Sequence, residues 1–215
     1  MIIKHLGIIP DGNRRWARQH NITNLEAYYL FTDHICDIIR AVNEINVDML
    51  TFYVVSKENL KRNEQDVFDV FQAVNSMLLQ KIPPIVDNLQ AQIHCVGIDA
   101  IDNEELKNTA KTLEASTRSN TGIVINFLIG YNPLDEINNA IINHGIVSIE
   151  TLSVPQCVDL LIRTAGGPTR LSNFLPLQCG YASIEMLDDK FLDVNCDTIM
   201  SIIKRYKDVE PKYGK

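Results

Sequence analysis

Short apolar, β-branched runs alternate along the chain with longer stretches of helical periodicity. The runs read HLGIIP, DMLTFYVVS, AQIHCVGI, GIVINFLIG and VDLLIRT, each closed by turn or polar residues, with a shorter sixth in YASIEML. Continuous apolar runs of this length fit strands buried on both faces, as in a parallel sheet. Between them, Thr23-Asn24-Leu25-Glu26 forms a capping-box sequence, and Leu30, Ile35, Ile38, Ile39 and Val42 then follow at helical spacing. A second helix is expected after Asn63, with Glu64 and Asp66 at its positive end and Val67, Phe68, Val70, Phe71, Val74 and Leu78 as its apolar face. Asp102 with Glu105 opens a third, Pro133 sits in the first turn of a fourth, and Ile199, Ile202 and Ile203 mark a last one.

Strands alternating with helices predict an α/β fold. No repeat, low-complexity tract or linker interrupts the pattern. The expectation is therefore one domain over residues 1–215, with a central, mostly parallel six-stranded sheet surrounded by helices.

Composition narrows the function classes. A formal net charge of −7 over 215 residues argues against general affinity for nucleic acid or an anionic membrane, so any phosphate site must be local. Cys36, Cys95, Cys157, Cys179 and Cys196 are scattered and odd in number, which fits free thiols rather than a disulfide framework or zinc site. The N-terminal segment lacks the pattern of a secretory signal, and no run approaches the roughly 20 apolar residues of a membrane span. A soluble, cytoplasmic protein is the expectation.

In parallel sheets, ligands gather at the carboxyl ends of the strands. After the first run come Asp11, Gly12, Asn13, Arg14 and Arg15; after the second, Ser56, Glu58, Asn59 and Arg62; after DLLIRT, Arg163, Thr164, Gly166, Gly167, Arg170 and Ser172. Arginine grips phosphate oxygens in a bidentate fashion, and glycine lets backbone N–H groups approach an anion. A lone aspartate beside them can hold Mg²⁺, which commonly binds through one or two carboxylates plus substrate phosphates. The joint placement points to a magnesium diphosphate site. Each piece alone has a plainer account: Pro-Asp-Gly is a common turn, the AGGP stretch suits a loop, and Ser56 and Asn59 can cap the next segment. The five histidines show no ligand spacing.

Three segments, HLGIIPDGNRRWA, LTFYVVSKENLKR and DLLIRTAGGPTRLSNFLPLQCGYA, resemble in order and spacing the signature segments of the cis-prenyltransferases, the undecaprenyl diphosphate synthase family. The resemblance implies a homodimer whose subunits hold an isoprenoid tail between sheet and helices. It implies that Asp11 is a magnesium-linked carboxylate that assists departure of diphosphate from an allylic substrate, cradled by Gly12, Asn13 and Arg15, with Arg14 beside them. Trp16 would be a wall residue. Asn59 and Ser56 match positions lining the reaction centre, Asn59 being placed to help proton removal, and Arg62 supports the allylic site. Arg163, Arg170 and Ser172 match a second site for the diphosphate of the attacking isoprenoid.

The departures are equally specific. Where the family has an arginine and then a Gly-His pair after the tryptophan, this chain has Asn24, Ala27 and Tyr28, making Tyr28 a pocket residue. Leu60 replaces a tryptophan. Tyr131-Asn132-Pro133-Leu134 replaces Tyr-Gly-Gly-Arg, and Ser183 stands where a metal-reaching glutamate is usual, with Glu185 two positions on as a candidate substitute. Lys212 and Gly214 resemble the family's C-terminal Arg-x-Gly tail. The P-D-G-x-R-R-W opening, the hydrophobic residue in place of the Gly-Gly-Arg loop, and Phe174-Leu175-Pro176-Leu177 are shared with lavandulyl and cyclolavandulyl diphosphate synthases. These join two dimethylallyl units head to middle, and some cyclise the product. The expectation is thus a Mg²⁺-dependent prenyltransferase making a short irregular product from dimethylallyl diphosphate, with isopentenyl or geranyl diphosphate as other candidate substrates. The alternatives are a regular cis-polyprenyl synthase using isopentenyl diphosphate and a non-catalytic partner subunit.

Overall fold

A computed structural model describes residues 3–166 and 170–207, with the Lys207 side chain excepted. Gly167, Lys212 and Gly214 lie outside the described residues. The six expected runs form strands β1 (His5–Ile9), β2 (Met49–Ser56), β3 (Gln92–Val96), β4 (Val124–Tyr131), β5 (Leu160–Arg163) and β6 (Ser183–Met186). They make one sheet in the order β3-β4-β2-β1-β5-β6, and every pairing is parallel. All five residues of β1 are buried, as the apolar run requires of a central strand.

Seven helices accompany the strands among the described residues: α1 (Asn13–His20), α2 (Asn24–Val42), α3 (Glu64–Ser76), α4 (Ile82–Leu89), α5 (Glu104–Thr117), α6 (Pro133–His144) and α7 (Cys196–Lys207). The capping box at α2 is present in full: Glu26 N–H donates to Thr23 Oγ1 at 3.1 Å and Thr23 N–H to Glu26 Oε2 at 2.8 Å. Asn63 caps α3 through Asp66 N–H, and Pro133 occupies the first turn of α6. The cap of α5 is Asn103, one residue after the expected Asp102. Two residues of the expected apolar stripes, Leu30 and Phe68, are exposed. Phe68 stands about 100° around the helix from Val67, whereas Val70, Phe71 and Val74 lie within about 60° of it, so Phe68 falls outside the buried face.

Two apolar layers flank the sheet. The larger packs Phe31, Ile35, Ile39, Phe71, Val74, Met77 and Ile203 from α2, α3, the following π-helical turn and α7 against Leu6, Ile8, Phe52 and Phe127. The smaller joins Ile9, Tyr53, Leu128 and Leu161 to Val154, Phe174, Leu175 and Cys179, which come from irregular segments around β5. On that side Gly7 is required by space: a Cβ there would lie 2.8 Å from the Phe174 ring and 3.2 Å from Leu161.

Candidate active site

The strand order fixes where a ligand belongs. From β1 the sheet extends through β2, β4 and β3 on one side, and β5 and β6 lie on the other, so the order reverses between β1 and β5. A crevice outside the carboxyl ends of the strands at such a switch point is the usual ligand site of open parallel sheets. Asp11 leaves β1 there, and Arg163 ends β5 beside it.

Their contacts are direct. Arg163 Nη2 donates to Asp11 Oδ2 at 3.1 Å, and Arg15 Nη2 lies 3.6 Å from Asp11 Oδ1. Thr164 clasps the Asp11 backbone, its hydroxyl accepting from Asp11 N–H and donating to Asp11 C=O, each at 2.9 Å. Arg163 is nearly buried, and its other amino group donates to Ser172 Oγ at 2.8 Å and to the Arg170 carbonyl. The Arg170 side chain itself is exposed. The strand-end residues of β1 and β5 therefore form one polar cluster.

Helix α1 begins at once, with Gly12 as its N-cap at φ 102° and no side-chain cap. Its first N–H groups thus lack a capping side chain, and the positive end of the helix lies at the crevice. A Cβ on Gly12 would approach Ala165 Cβ to 2.7 Å and Lys190 Cβ to 2.9 Å. Glycine is demanded here by the neighbouring loop as well as by the backbone angle. Asn13 is tied back by donation from Nδ2 to the Pro10 carbonyl, while its buried Oδ1 makes no hydrogen bond among the described residues.

After β2, Ser56 and Asn59 cap the 3-10 turn Lys57–Lys61 reciprocally. Asn59 N–H donates to Ser56 Oγ, and Ser56 N–H to Asn59 Oδ1, both at 3.2 Å. Both residues also line the cavity, so the capping account and placement at the site hold together. Tyr53, on β2, donates to the Ser172 carbonyl at 3.3 Å. Burial pushes its phenol well above the ordinary range, so it remains a donor.

The remaining wall is made by α1, α2 and the turn before α3. Asp66 is buried and accepts at Oδ1 from Asn24 Nδ2 and Tyr28 Oη, each at 3.0 Å. Its Oδ2 lies 3.5 Å from Arg14 Nε and 3.6 Å from Arg62 Nη1. Burial first, and then the charge of Asp66, keeps the Tyr28 phenol protonated. The two family departures at Asn24 and Tyr28 are thus both bonded to one carboxylate.

Together these walls enclose a cavity of about 370 Å³, at the low end of the roughly 300–1,000 Å³ typical of small-molecule sites. Asp11, Gly12, Asn13, Arg14, Arg15, Tyr28, Ser56, Asn59, Arg62, Arg163 and Ser172 all line it, together with apolar Phe31, Val54 and Val70. Four expected residues do not. Trp16 stacks on His20, with ring centroids 3.7 Å apart, and donates to Asp193 Oδ1 at 2.7 Å. Leu60 packs against the larger core. Arg170 contributes its carbonyl to Arg163. Glu185 pairs with Arg205 at 2.7 Å and accepts from Tyr206 Oη at 2.9 Å, so its carboxylate is committed to α7.

Among the described residues no cluster of three or more His, Cys, Asp or Glu side chains could cage a metal unaided. The donor set fits magnesium in the other way that ion binds, through a single carboxylate completed by substrate phosphates and water. Asp11, its side chain 42% exposed at the cavity wall, is the carboxylate available for such a role. Arg18, Tyr53 and Asp66 escaped the sequence reading of the site, and Thr164, named there only as a strand-end residue, has a more specific part. Arg18 and Tyr53 line the cavity, Thr164 fixes Asp11, and Asp66 fixes the far wall. The strand-end rule named Thr164; the other three carried no such signal.

Comparison with known proteins bears on the fold and the family. The family model described as "Putative undecaprenyl diphosphate synthase" matches residues 9–214. The chain is 28% identical to the (2E,6E)-farnesyl-diphosphate-specific ditrans,polycis-undecaprenyl-diphosphate synthase of Micrococcus luteus, over 99% of this chain and 92% of that protein. It is 30% identical to an isoprenyl transferase of Rickettsia prowazekii, over 99% and 98%. Among solved structures, lavandulyl diphosphate synthase from Lavandula x intermedia, in complex with dimethylallyl diphosphate, superposes with a TM-score of 0.89 at 22% identity, covering 100% and 99% of the two chains. A "probable undecaprenyl diphosphate synthase" from Campylobacter jejuni gives 0.81 at 25% identity, covering 99% of each.

Proposed function

The chain belongs to the undecaprenyl diphosphate synthase family of cis-prenyltransferases, and from that premise we propose that it couples two dimethylallyl diphosphates into a short, irregular, lavandulyl-type product. The observation that carries the proposal is the small cavity, whose apolar lining is Phe31, Val54 and Val70 beside Tyr28. Beyond it the space between the sheet and α2–α3 is occupied by Ile35, Phe52, Phe71, Val74 and Met77, all buried. A long polyprenyl tail would have to displace that packed core, which costs several kcal/mol for each large side chain moved.

Each residue has a task in this reading. The N-terminus of α1 and Arg15 bind the leaving diphosphate, and their charges are stronger there than in water. Asp11 holds magnesium, which when bound supplies neutralisation of the charge that develops as the allylic C–O bond ionises. Ser172 and Arg163 take the second diphosphate. Asn59 has its carbonyl oxygen engaged by Ser56, which leaves the amide nitrogen as its available group. It therefore suits orientation of a substrate oxygen better than proton removal.

A second reading is favoured by the relatives, whose printed names are isoprenyl transferase and undecaprenyl diphosphate synthase. Under it, α2 and α3 part to admit a growing chain built from isopentenyl diphosphate. Incubation with Mg²⁺ and dimethylallyl diphosphate alone separates the two: mass spectrometry of the dephosphorylated products is expected to show a ten-carbon alcohol. A strict requirement for isopentenyl diphosphate and a ladder of long alcohols would overturn the first reading in favour of the second.

The reading includes a homodimer. Helix α6 and the segment after it expose Leu134, Ile141, Ile142 and Ile146. So many large apolar side chains on one region mark an association surface. Ile142, 78% exposed, is the sharpest probe. Ile142→Glu is expected to convert a dimeric elution to a monomeric one in size-exclusion chromatography with light scattering, without lowering the melting temperature of the monomer. A wild-type protein that elutes as a monomer at micromolar concentration removes the dimer from the proposal. No helix among the described residues is long and apolar enough to cross a membrane.

A further inference from the structure

Asp66 is the most deeply buried carboxylate near the cavity, and it does not itself line it. Its surroundings are all donors. Asn24 and Tyr28 satisfy one oxygen, and the other makes no hydrogen bond but faces Arg14 Nε and Arg62 Nη1 at 3.5 and 3.6 Å. Tyr28 Oη also accepts from Arg62 Nη1 at 3.4 Å. The carboxylate is 1% exposed, whereas the two arginine side chains are 39% and 31% exposed and reach the cavity.

A carboxylate removed from water is tolerated only where opposite charge and hydrogen bonds surround it. Here the compensation comes from three separate elements, so the charge links α1, α2 and the turn after β2 to the start of α3. Each guanidinium spends part of its fork inward. Arg14 faces Asp66 with Nε and keeps both terminal amino groups; Arg62 faces it with Nη1 and keeps Nη2 and Nε. Five donors in a rigid plane permit this division, whereas an ammonium group offers no such geometry.

We propose that Asp66 is a positioning residue that clamps Arg14 and Arg62 from behind, so that their outward N–H groups form the anion-binding wall opposite Asp11. Asn24 and Tyr28 serve the clamp rather than the ligand. In this chain the anion contacts on that wall come from two short-range, pre-oriented arginines held by one carboxylate, and the ordering of two flexible side chains precedes ligand arrival. The clamp rests on the reading of the cavity as a diphosphate site but not on which hydrocarbons are joined there.

The test uses inorganic diphosphate with Mg²⁺ in calorimetric titrations of the full chain, alongside KM and kcat with dimethylallyl diphosphate. Asp66→Asn keeps the size of the side chain and replaces an acceptor by a donor that faces two cations. It is expected to weaken diphosphate binding and raise KM about tenfold, with kcat changed less than threefold. In an Arg14→Ala/Arg62→Ala background, the same substitution is expected to weaken binding no further, because its effect passes through the arginines. Asp66→Glu is expected to recover part of the loss.

If Asp66→Asn does not fold, Tyr28→Phe decides, since it removes one donor to Asp66 and one acceptor of Arg62. A two- to fivefold weakening is expected, and unchanged affinity overturns the clamp. Unchanged affinity in folded Asp66→Asn, or equal losses with and without the arginines, overturns it as well. Failure of the wild-type chain to bind diphosphate would instead sink the functional reading.

Discussion

Asp11→Ala is expected to lower kcat with dimethylallyl diphosphate about a thousandfold, while the chain stays folded and still binds inorganic diphosphate in the absence of magnesium. The size follows from removing one pre-oriented electrostatic group at the point where charge develops, which typically costs about 10²–10³ in rate, or more where a metal is also lost. Retention of fold follows from the local bonding. The backbone of residue 11 is held by Thr164 regardless of its side chain, and Arg163 keeps Ser172 Oγ and the Arg170 carbonyl as acceptors. Removing a carboxylate from a cluster containing Arg15 and Arg163 also leaves more positive charge for an anion. Metal-free diphosphate affinity is therefore expected to hold or rise as turnover collapses. Asp11→Asn should behave the same way, since the charge rather than the shape is at stake. Turnover by either variant at the wild-type rate would show that ionisation does not depend on this carboxylate.

The placement of Asp11 was legible because strand ends obey a simple rule. A continuous apolar run followed by Pro-Asp-Gly puts a carboxylate at one edge of a parallel sheet, and the run ending in Arg163 puts a cation at the same edge. Adjacency of β1 and β5 then brings them into contact, with Ile9 in register with Arg163. Helix α1 was not legible, for local reasons. Its cap is a glycine with a positive φ, its first turn has no acidic residue, and only Ala17 is buried, so neither cap nor periodicity announces it. Helix α4 hides behind Pro83 and Pro84, which read as a break but occupy a first turn that follows a π-helical segment.

Asp66 shows a different limit. Its position three residues after Asn63 predicts a charge at a helix N-terminus, and that is where it stands. Its burial arises from Asn24 and Tyr28, 42 and 38 residues away, and nothing local marks those partners. Trp16 and Glu185 lie outside the cavity lining for complementary reasons. Trp16 and His20 share one face of α1 at i and i+4, so the indole stacks there and bonds to Asp193 instead of walling the cavity. Glu185 lies on an edge strand, where α7 supplies Arg205 and Tyr206 as nearer partners than anything at the crevice.

The second large effect lies at the opposite end of the sheet. Unfolding free energy is expected to fall by about 2 kcal/mol between pH 7.5 and pH 5, and by about 3 kcal/mol once His5 is fully protonated. His5 is fully buried in β1. Its Nδ1 is 3.1 Å from the Gln156 carbonyl, so that nitrogen carries the proton, and Nε2 accepts from Thr51 Oγ1 at 2.7 Å. Thr51 Oγ1 accepts in turn from Asn126 Nδ2 at 2.9 Å. Three central strands are thus cross-linked by a chain that needs a neutral imidazole. Burial lowers the His5 pKa to about 4, against hydrogen bonds to the Gln156 and Cys157 backbone and the charge of Asp159, which raise it. The unfolded chain, at about 6.5, binds the proton first as pH falls. Stability from this residue is therefore complete above pH 6.5 and lost progressively down to pH 4. Urea titrations at pH 7.5, 6 and 5 measure the slope directly. His5→Gln, which can still accept from Thr51 and donate to Gln156, is expected to be less stable than wild type at pH 7.5 but to lose about 2 kcal/mol less on going to pH 5. Parallel losses in the two proteins would place the acid sensitivity elsewhere in the molecule and leave His5 with a packing role alone.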